Sequence, residues 1–197
     1  QYTHNVLVPG SNPGGPTSIF IMQRTFNNQN ISRVNYFFII FFFIILTIHQ
    51  FIFQKFFPSA NGFIGHDYEY FVPHLMFGKL WFSKNFLSTP WFSPSFCCGS
   101  PFYADPETMY YSINQIIFLF FKPPMAIKII FFILSFTAYL GMFLLAQKSF
   151  RLNKYTSLIC ASLFLFNGFF VYRAIQGHVS HLSFVFIPLY CYFLINS

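Results

Sequence analysis

The sequence predicts an all-α membrane protein with about four transmembrane helices and a large outer loop that contains a surface helix. Charged residues make up 8% of the 197 residues, whereas they make up roughly 25% of an ordinary soluble domain. Hydrophobic residues make up 55%, and 34 residues are Phe. Four long apolar stretches divide the chain, and a helix needs ~20 apolar residues to cross the hydrocarbon core of a bilayer.

The apolar stretches set the predicted domain organisation. We predict spans at about residues 36–53, 125–147, 155–171 and 182–197, with the outer loop at about 54–124. The last span is truncated by the end of the sequence. We therefore expect residues 22–197 to be the N-terminal part of a longer polytopic transmembrane domain. The alternative is a small four-helix protein whose last span is short.

Residues 1–21 do not fit this plan, because they are rich in Gly, Pro and Asn and lack a signal-peptide pattern. Met22 then opens a polar segment with two arginines that leads into the first span. We expect residues 1–21 to be a non-native or disordered leader, with translation beginning at Met22. The alternative is a flexible natural tail.

The basic residues predict the orientation of the spans. Arg24 and Arg33 precede the first span, and Lys148, Arg151 and Lys154 lie between the second and third. Short loops rich in Lys and Arg stay in the cytoplasm. The N-terminus is therefore predicted to be cytoplasmic and the first large loop extracytoplasmic.

Composition and motifs also exclude several function classes. The net charge of +7 reflects a shortage of acids, and no basic cluster predicts a nucleic-acid partner. The sequence has no phosphate-binding loop, dinucleotide fingerprint or Gly-x-Ser-x-Gly elbow, and no His/Cys spacing typical of zinc. The predicted partner is the lipid bilayer. None of these motifs indicates a cofactor.

All four carboxylates of the chain fall in the predicted outer loop. Asp67 and Glu69 stand two residues apart with His66 beside them. Such a pair can act as a general base or bind a divalent metal, Mg or Mn. The alternative is a solvated surface pair without chemistry.

The other two acids have a structural explanation. Asp105 is a helix N-cap residue, Pro106 suits the first helical position, and Glu107 suits the positive first turn. We therefore predict that the surface helix of the loop begins at Pro106 and continues to Phe121.

Arg173 and His178 lie at the predicted outer end of the third span, on the same side as the acidic loop. A guanidinium and an imidazole at the membrane surface suit the phosphate of a lipid carrier. We therefore expect the acids and this segment to come close together. The alternative is that Arg173 and His178 only anchor helix ends among the headgroups.

These residues resemble those of the GT-C superfamily of polytopic membrane glycosyltransferases, in its bacterial YfhO-like or a related branch. The resembling features are Asp67 with Pro73, the PWFSP turn at 90–94, GSPFYAD at 99–105, and the Gly-His pair that ends at His178. They extend over roughly Tyr36 to the C-terminus. The departures are an extra residue in the Pro-Trp turn and adjacent cysteines where small residues are usual.

The resemblance implies transfer of a sugar from a polyprenyl-phosphate carrier to an acceptor on the extracytoplasmic face of the bacterial inner membrane. Asp67 would be the base or a metal ligand, with Glu69 as its partner. His66, Arg173 and His178 would bind the substrate. The competing class is a non-catalytic polytopic protein, such as a flippase or a transport or assembly partner in envelope polysaccharide synthesis. A fragment of the enzyme alone is expected to be inactive.

Overall fold

The computed structural model describes residues 36–58, 66–94 and 98–197, so the predicted leader at 1–21 lies outside the described part of the chain. The described residues are mostly helical. Four of their helical segments are long and apolar enough to cross a membrane: Phe38–Phe56, Pro123–Ser149, Lys154–Gln176 and Val179–Asn196. The predicted class, an all-α multi-pass membrane protein, is confirmed.

Helix α1, Tyr36–Phe53, has the predicted bounds and continues into a 3₁₀ turn, Gln54–Phe56. Leu46 and His49 are its fully buried side chains. Most of the rest of its surface is apolar and exposed, at Ile39, Ile40, Phe41, Phe43, Ile44, Ile48, Phe51 and Ile52. An exposed apolar face of this extent suits contact with lipid.

Helix α4, Pro123–Leu144, is the centre of the packing, and a π-helical turn, Leu145–Ser149, extends it. Its two prolines occupy the first turn, where a backbone N–H would have no helical partner. Nine of its residues are buried, among them the side chains of Phe131, Leu134 and Tyr139. Helices α3 (Ile113–Phe120), α5 (Lys154–Leu165) and α7 (Ile187–Asn196) all pack against it.

The third span consists of two helices, whereas the sequence predicted one continuous helix over 155–171. Helix α5, Lys154–Leu165, ends just before Asn167, and helix α6, Gly168–Gln176, follows. The Asn167 side chain accepts a 2.8 Å hydrogen bond from the Phe170 N–H. Because this cap satisfies a free N–H at the start of a helix, it favours a new helix there over continuation of the first.

The fourth span begins earlier than predicted. A 3₁₀ segment, Val179–Phe186, leads into helix α7, Ile187–Asn196. Pro188 lies in the first turn of α7. Since proline lacks an N–H, it favours the start of an α-helix over its interior, and the preceding apolar residues adopt the tighter 3₁₀ form.

The described residues of the predicted outer loop form helices and a pair of short strands. Phe102 and Phe118 are fully buried within it. Its elements are helix α2 (Tyr68–Asn85), the antiparallel strands β1 (Phe92–Ser93) and β2 (Ser100–Pro101), a 3₁₀ turn (Pro106–Thr108) and helix α3 (Ile113–Phe120).

The predicted surface helix from Pro106 to Phe121 is shorter than expected. Asp105 caps a 3₁₀ turn at Pro106 as predicted, accepting a 2.9 Å hydrogen bond from the Glu107 N–H. Met109 then adopts left-handed backbone angles, with φ of 53°, which end the helical run. Ser112 caps the separate helix α3.

Contacts between helix ends show which ends of the spans lie together. At one end the rings of Phe38 and Tyr155 lie 5.4 Å apart, and the Asn196 side chain donates a 2.6 Å hydrogen bond to Ser149. At the other end the Asp67 N–H donates to the Gln176 carbonyl at 3.0 Å. The start of α2 and the end of α6 therefore meet at the same end of the bundle.

We predict that Gly141→Ala destabilises the protein by about 1–3 kcal/mol, the usual effect of overpacking. A Cβ at Gly141 would lie 2.9 Å from the Leu189 backbone nitrogen and 3.0 Å from its Cβ, so α4 and α7 would have to separate. Thermal unfolding in detergent measures the change. Gly168→Ala is the matched control, because a Cβ there meets nothing within 4 Å. Equal unfolding temperatures for the two variants would contradict the close α4–α7 contact.

Candidate functional site

The candidate site forms where the start of α2 meets the end of α6. Asp67 occupies the position before α2, but its side chain makes no capping bond to the helix. Gly177 ends α6 in the left-handed region, with φ of 84°, which glycine adopts at little cost. This turn brings His178 back toward α2.

The backbones of the two segments are joined directly. The Asp67 N–H donates to the Gln176 carbonyl at 3.0 Å, and the Tyr68 hydroxyl donates to the Ala174 carbonyl at 2.6 Å. A Cβ at Gly177 would lie 2.6 Å from the Tyr68 nitrogen. The approach therefore requires glycine for its space as well as for its backbone angles.

Three side chains form one hydrogen-bonded chain across this junction, which we call the Arg173–His178–Asp67 chain. The Arg173 guanidinium Nη1 contacts His178 Nδ1, and His178 Nε2 contacts Asp67 Oδ2. Since a guanidinium can only donate, Nδ1 must accept, and Nε2 then carries the hydrogen that it donates to the carboxylate. This arrangement needs the neutral Nε2–H tautomer of His178. The predicted proximity of Asp67 to His178 is confirmed.

The two charged ends of the chain differ in exposure. The Asp67 side chain is 50% exposed and that of His178 is 28% exposed. Arg173 is partly buried, with its guanidinium carbon 5.4 Å from the centre of the Phe169 ring, a favourable cation–π contact. Its Nε is buried without a hydrogen-bond partner among the described residues. The carboxylate is thus open to a substrate, and the guanidinium is held in place.

The other predicted site residues are not joined to this chain by a hydrogen bond or ion pair between described residues. Glu69 is exposed in the first turn of α2, and His66 is exposed with left-handed backbone angles, φ of 51°. Asp105 remains the cap residue and also accepts a 3.4 Å hydrogen bond from the Tyr70 hydroxyl. Asp67, His178 and Arg173 are therefore the predicted residues that the fold brings together.

The predicted divalent-metal role of Asp67 and Glu69 finds no ligand set in the described residues. No three His, Cys, Asp or Glu residues come close enough there to hold an ion together. One oxygen of Asp67 is already engaged by His178. The metal role remains a prediction, and the chemistry proposed below does not use it.

A groove of about 500 Å³ lies next to the Arg173–His178–Asp67 chain. Nine residues of the 103–114 segment form one wall, and Leu134 of α4 and five residues of the 179–186 segment line the remainder. The groove starts at Val179, the residue after His178. The lining contains hydroxyl and amide groups as well as apolar side chains, so the groove suits a ligand that has a polar part and an apolar part.

Sequence reasoning missed the Tyr68 contact and the groove. Tyr68, Phe71 and Leu75 are buried along α2 at helical spacing, a period that the sequence alone could have revealed. The groove depends on the break after Thr108 and on the 3₁₀ segment of the fourth span, which hydropathy does not show.

No protein family, curated protein or solved structure matches this chain. The resemblance to the GT-C superfamily therefore rests on the motifs quoted above. The chemical roles of the site residues rest on those motifs and on the geometry of the α2–α6 junction.

We predict that Tyr68→Phe lowers the free energy of unfolding by about 1 kcal/mol, the usual net value of one hydrogen bond. The loss is no larger because the Ala174 carbonyl also accepts from the Gly177 N–H. Thermal unfolding in detergent measures it. Tyr172→Phe is the matched control, since Tyr172 is 58% exposed. If the two variants unfolded alike, the Tyr68 bond would contribute nothing.

We also predict that the stability difference between wild type and Tyr68→Phe depends on pH. Burial raises the pKa of Tyr68 above its ordinary value, so the folded state holds this proton more tightly than the unfolded chain does. The stability that depends on the Tyr68 hydroxyl is full below about pH 10 and declines as the pH rises further. The difference between wild type and Tyr68→Phe should shrink accordingly, and a difference that grew with pH would contradict this.

Proposed function

We propose that this protein is a membrane glycosyltransferase, or the part of one described here, that passes a sugar from a polyprenyl-phosphate carrier to an acceptor hydroxyl on the extracytoplasmic face of the bacterial inner membrane. The observation that carries the proposal is the Arg173–His178–Asp67 chain at one end of the spans. In this chain the exposed carboxylate of Asp67 and the guanidinium of Arg173 both contact the imidazole of His178. Transfer from a lipid phosphate needs both charges at the membrane surface.

Asp67 acts as the general base in this proposal. The acceptor oxygen forms a bond to the anomeric carbon of the sugar while the bond from that carbon to the phosphate oxygen breaks. The acceptor proton passes to Asp67. His178 donates to Oδ2 through Nε2–H, which holds the carboxylate in place.

Arg173 stabilises the leaving phosphate. A guanidinium suits phosphate oxygens because its donors lie in one plane at a fixed spacing. In the neutral tautomer His178 also separates the guanidinium from the Asp67 carboxylate, so Arg173 is not neutralised by direct pairing. Fixed positive charge near a developing anion is among the largest contributions to catalysis. His66, two residues before Tyr68, is the third substrate-binding residue inferred from the sequence, and Glu69 is the inferred catalytic partner of Asp67.

A specific observation favours the second candidate, a flippase or another transport partner. The third span is broken between α5 and α6, and His49 lies fully buried with its ring 5.0 Å from that of Phe166 at the break. Broken helices and ionisable groups inside spans are typical of transporters. Acids, which transporters often carry within spans, are confined to the loop in this chain.

We predict that Asp67→Asn lowers sugar transfer in the full-length enzyme by about 10²–10⁴-fold, the usual contribution of a general base. Glu69→Gln should lose less, because Glu69 is not part of the hydrogen-bonded chain. The assay measures transfer of labelled sugar from polyprenyl phosphate, in membranes that hold equal amounts of each inserted variant. Near-normal transfer by Asp67→Asn would show that the base assignment is wrong.

The transport alternative predicts a different result. A flippase moves the lipid-linked sugar between leaflets of protein-containing vesicles without an acceptor, and Asp67→Asn should then leave this movement unchanged while His49→Phe reduces it. The transferase predicts no protein-dependent movement. Leaflet exchange is measured by the accessibility of the labelled sugar to an added membrane-impermeant oxidant.

A further inference from the structure

The groove beside the Arg173–His178–Asp67 chain has one charged residue among its described lining residues, Asp105. Its other lining residues are aromatic, apolar or uncharged polar, and none of them is Lys, Arg or His. The chain as a whole has a net charge of +7, so the groove has the opposite sign to the protein around it. Salt screens exposed charges more than about 8–10 Å away. The carboxylate therefore decides which ligand charge the groove attracts, and it attracts a cation.

The Asp105 carboxylate keeps its charge and part of its accepting capacity for a ligand. Its Oδ1 accepts a 2.9 Å hydrogen bond from the Glu107 N–H, and its Oδ2 accepts a 3.4 Å bond from the Tyr70 hydroxyl. Both bonds lie in exposed surroundings, and an ionised carboxylate has about four acceptor positions. Asp105 forms no ion pair with another described residue. Its negative charge is therefore not neutralised within the described part of the chain.

Two exposed tyrosine rings line the same groove. Tyr103 is 46% exposed and Tyr111 is 64% exposed, and exposure of this size in a tyrosine comes mainly from its ring. The ring centres lie 5.9 Å apart and the ring planes meet at 86°, so the two rings form a corner. The Trp91 ring packs 4.9 Å from that of Tyr103 on its other side. Because the face of an aromatic ring is negative, such a corner beside a carboxylate attracts a cation.

No described basic side chain occupies this corner. The cation–π contacts of the described residues use Lys55, Lys154 and Arg173, each on a phenylalanine ring outside the groove. The rings of Tyr103 and Tyr111 therefore have no cation from the described part of the chain, and they can receive one from a ligand.

The far side of the groove is apolar. Leu134 belongs to the second span, and Leu182 and Phe186 belong to the fourth. A small hydrophilic cation would leave these side chains uncovered. A ligand that filled the groove would bring its positive charge against Asp105 and an apolar chain against the two spans.

We propose that this groove binds an amphiphile with a singly charged ammonium headgroup. The ammonium contacts the Asp105 carboxylate and the rings of Tyr103 and Tyr111, and the apolar chain lies along the second and fourth spans. A zwitterionic lipid headgroup fits less well, because its phosphate would enter beside a carboxylate with no basic residue in the described lining.

The test measures binding of radiolabelled octyltrimethylammonium to the full chain by equilibrium dialysis. The protein is held in dodecyl maltoside micelles, which carry neither charge nor ammonium, and binding to protein-free micelles is subtracted. We expect saturable binding. Unlabelled octyltrimethylammonium should displace the label at a lower concentration than octyl glucoside, which lacks the charge, tetramethylammonium, which lacks the chain, or dihexanoylphosphatidylcholine, which is zwitterionic. Binding that never saturates, or stronger displacement by any of these three competitors, would overturn the proposal.

A pair of charge-removing variants locates the carboxylate. Asp105→Asn should weaken binding about three- to fivefold, the effect of one exposed charge pair, and added salt should weaken its binding less than that of wild type. Asparagine caps helices as well as aspartate does, so the turn at Pro106 is retained. Glu107→Gln is the matched control, because Glu107 is exposed and is not among the lining residues. Wild-type binding by Asp105→Asn, or equal weakening by Glu107→Gln, would overturn the proposal.

A second pair separates the ring of Tyr111 from its hydroxyl. Tyr111→Leu should weaken binding about two- to fivefold, the value of an exposed cation–π contact, whereas Tyr111→Phe keeps the ring and should bind as wild type does. Both variants lose the 3.2 Å contact of the Tyr111 hydroxyl with Thr89, so the difference between them reports the ring alone. Equal binding by these two variants would overturn the role of the aromatic corner.

This proposal does not rest on the proposed transferase function, and Asp67→Asn separates the two. We expect this variant to bind octyltrimethylammonium with wild-type affinity, because Asp67 is not among the residues that line the groove. If the wild type binds the ammonium but transfers no sugar, the groove assignment stands and the transferase proposal fails. If transfer occurs but no saturable binding is found, the groove assignment alone is overturned.

Discussion

The hydrogen-bonded chain from Arg173 through His178 to Asp67 is the interaction on which the arrangement of this protein depends. A carboxylate cannot enter the hydrocarbon core without a large desolvation cost, so the acidic loop must stay at the membrane surface. The Asp67 contact, with the Tyr68 hydroxyl bond beside it, fixes the start of α2 to the end of the third span. Residues more than 100 positions apart thereby form one junction.

Much of this arrangement follows from the sequence by physical argument. Hydropathy gave the exact bounds of α1, because a run of Ile and Phe without charges has no other stable environment than lipid or a protein core. An alternating sequence of spans requires that the loop after the first span and the end of the third lie on the same side of the membrane. The approach of Asp67 to His178 was predictable for that reason. Their chemical roles are not decided by proximity and remain proposals.

Other features were hidden from hydropathy for identifiable reasons. Pro73 lies inside α2 and argues against a helix there, yet the helix forms because its buried face packs against α3. The break at Asn167 depends on one side-chain cap, which an averaged hydropathy window cannot resolve. The groove depends on the left-handed backbone conformation of Met109. Because residues other than glycine rarely adopt this conformation, tertiary contacts must stabilise it here.

The tautomer of His178 tests the central claim most directly. Arg173 can only donate to Nδ1, so the chain requires neutral His178 with its hydrogen on Nε2. Nitrogen NMR of ¹⁵N-histidine-labelled protein in lipid at neutral pH distinguishes the three forms of the ring, and a His178→Gln difference spectrum assigns the signal. The account predicts an unprotonated Nδ1 and a protonated Nε2. A proton on Nδ1, in either the neutral or the charged ring, would contradict the Arg173–His178–Asp67 chain.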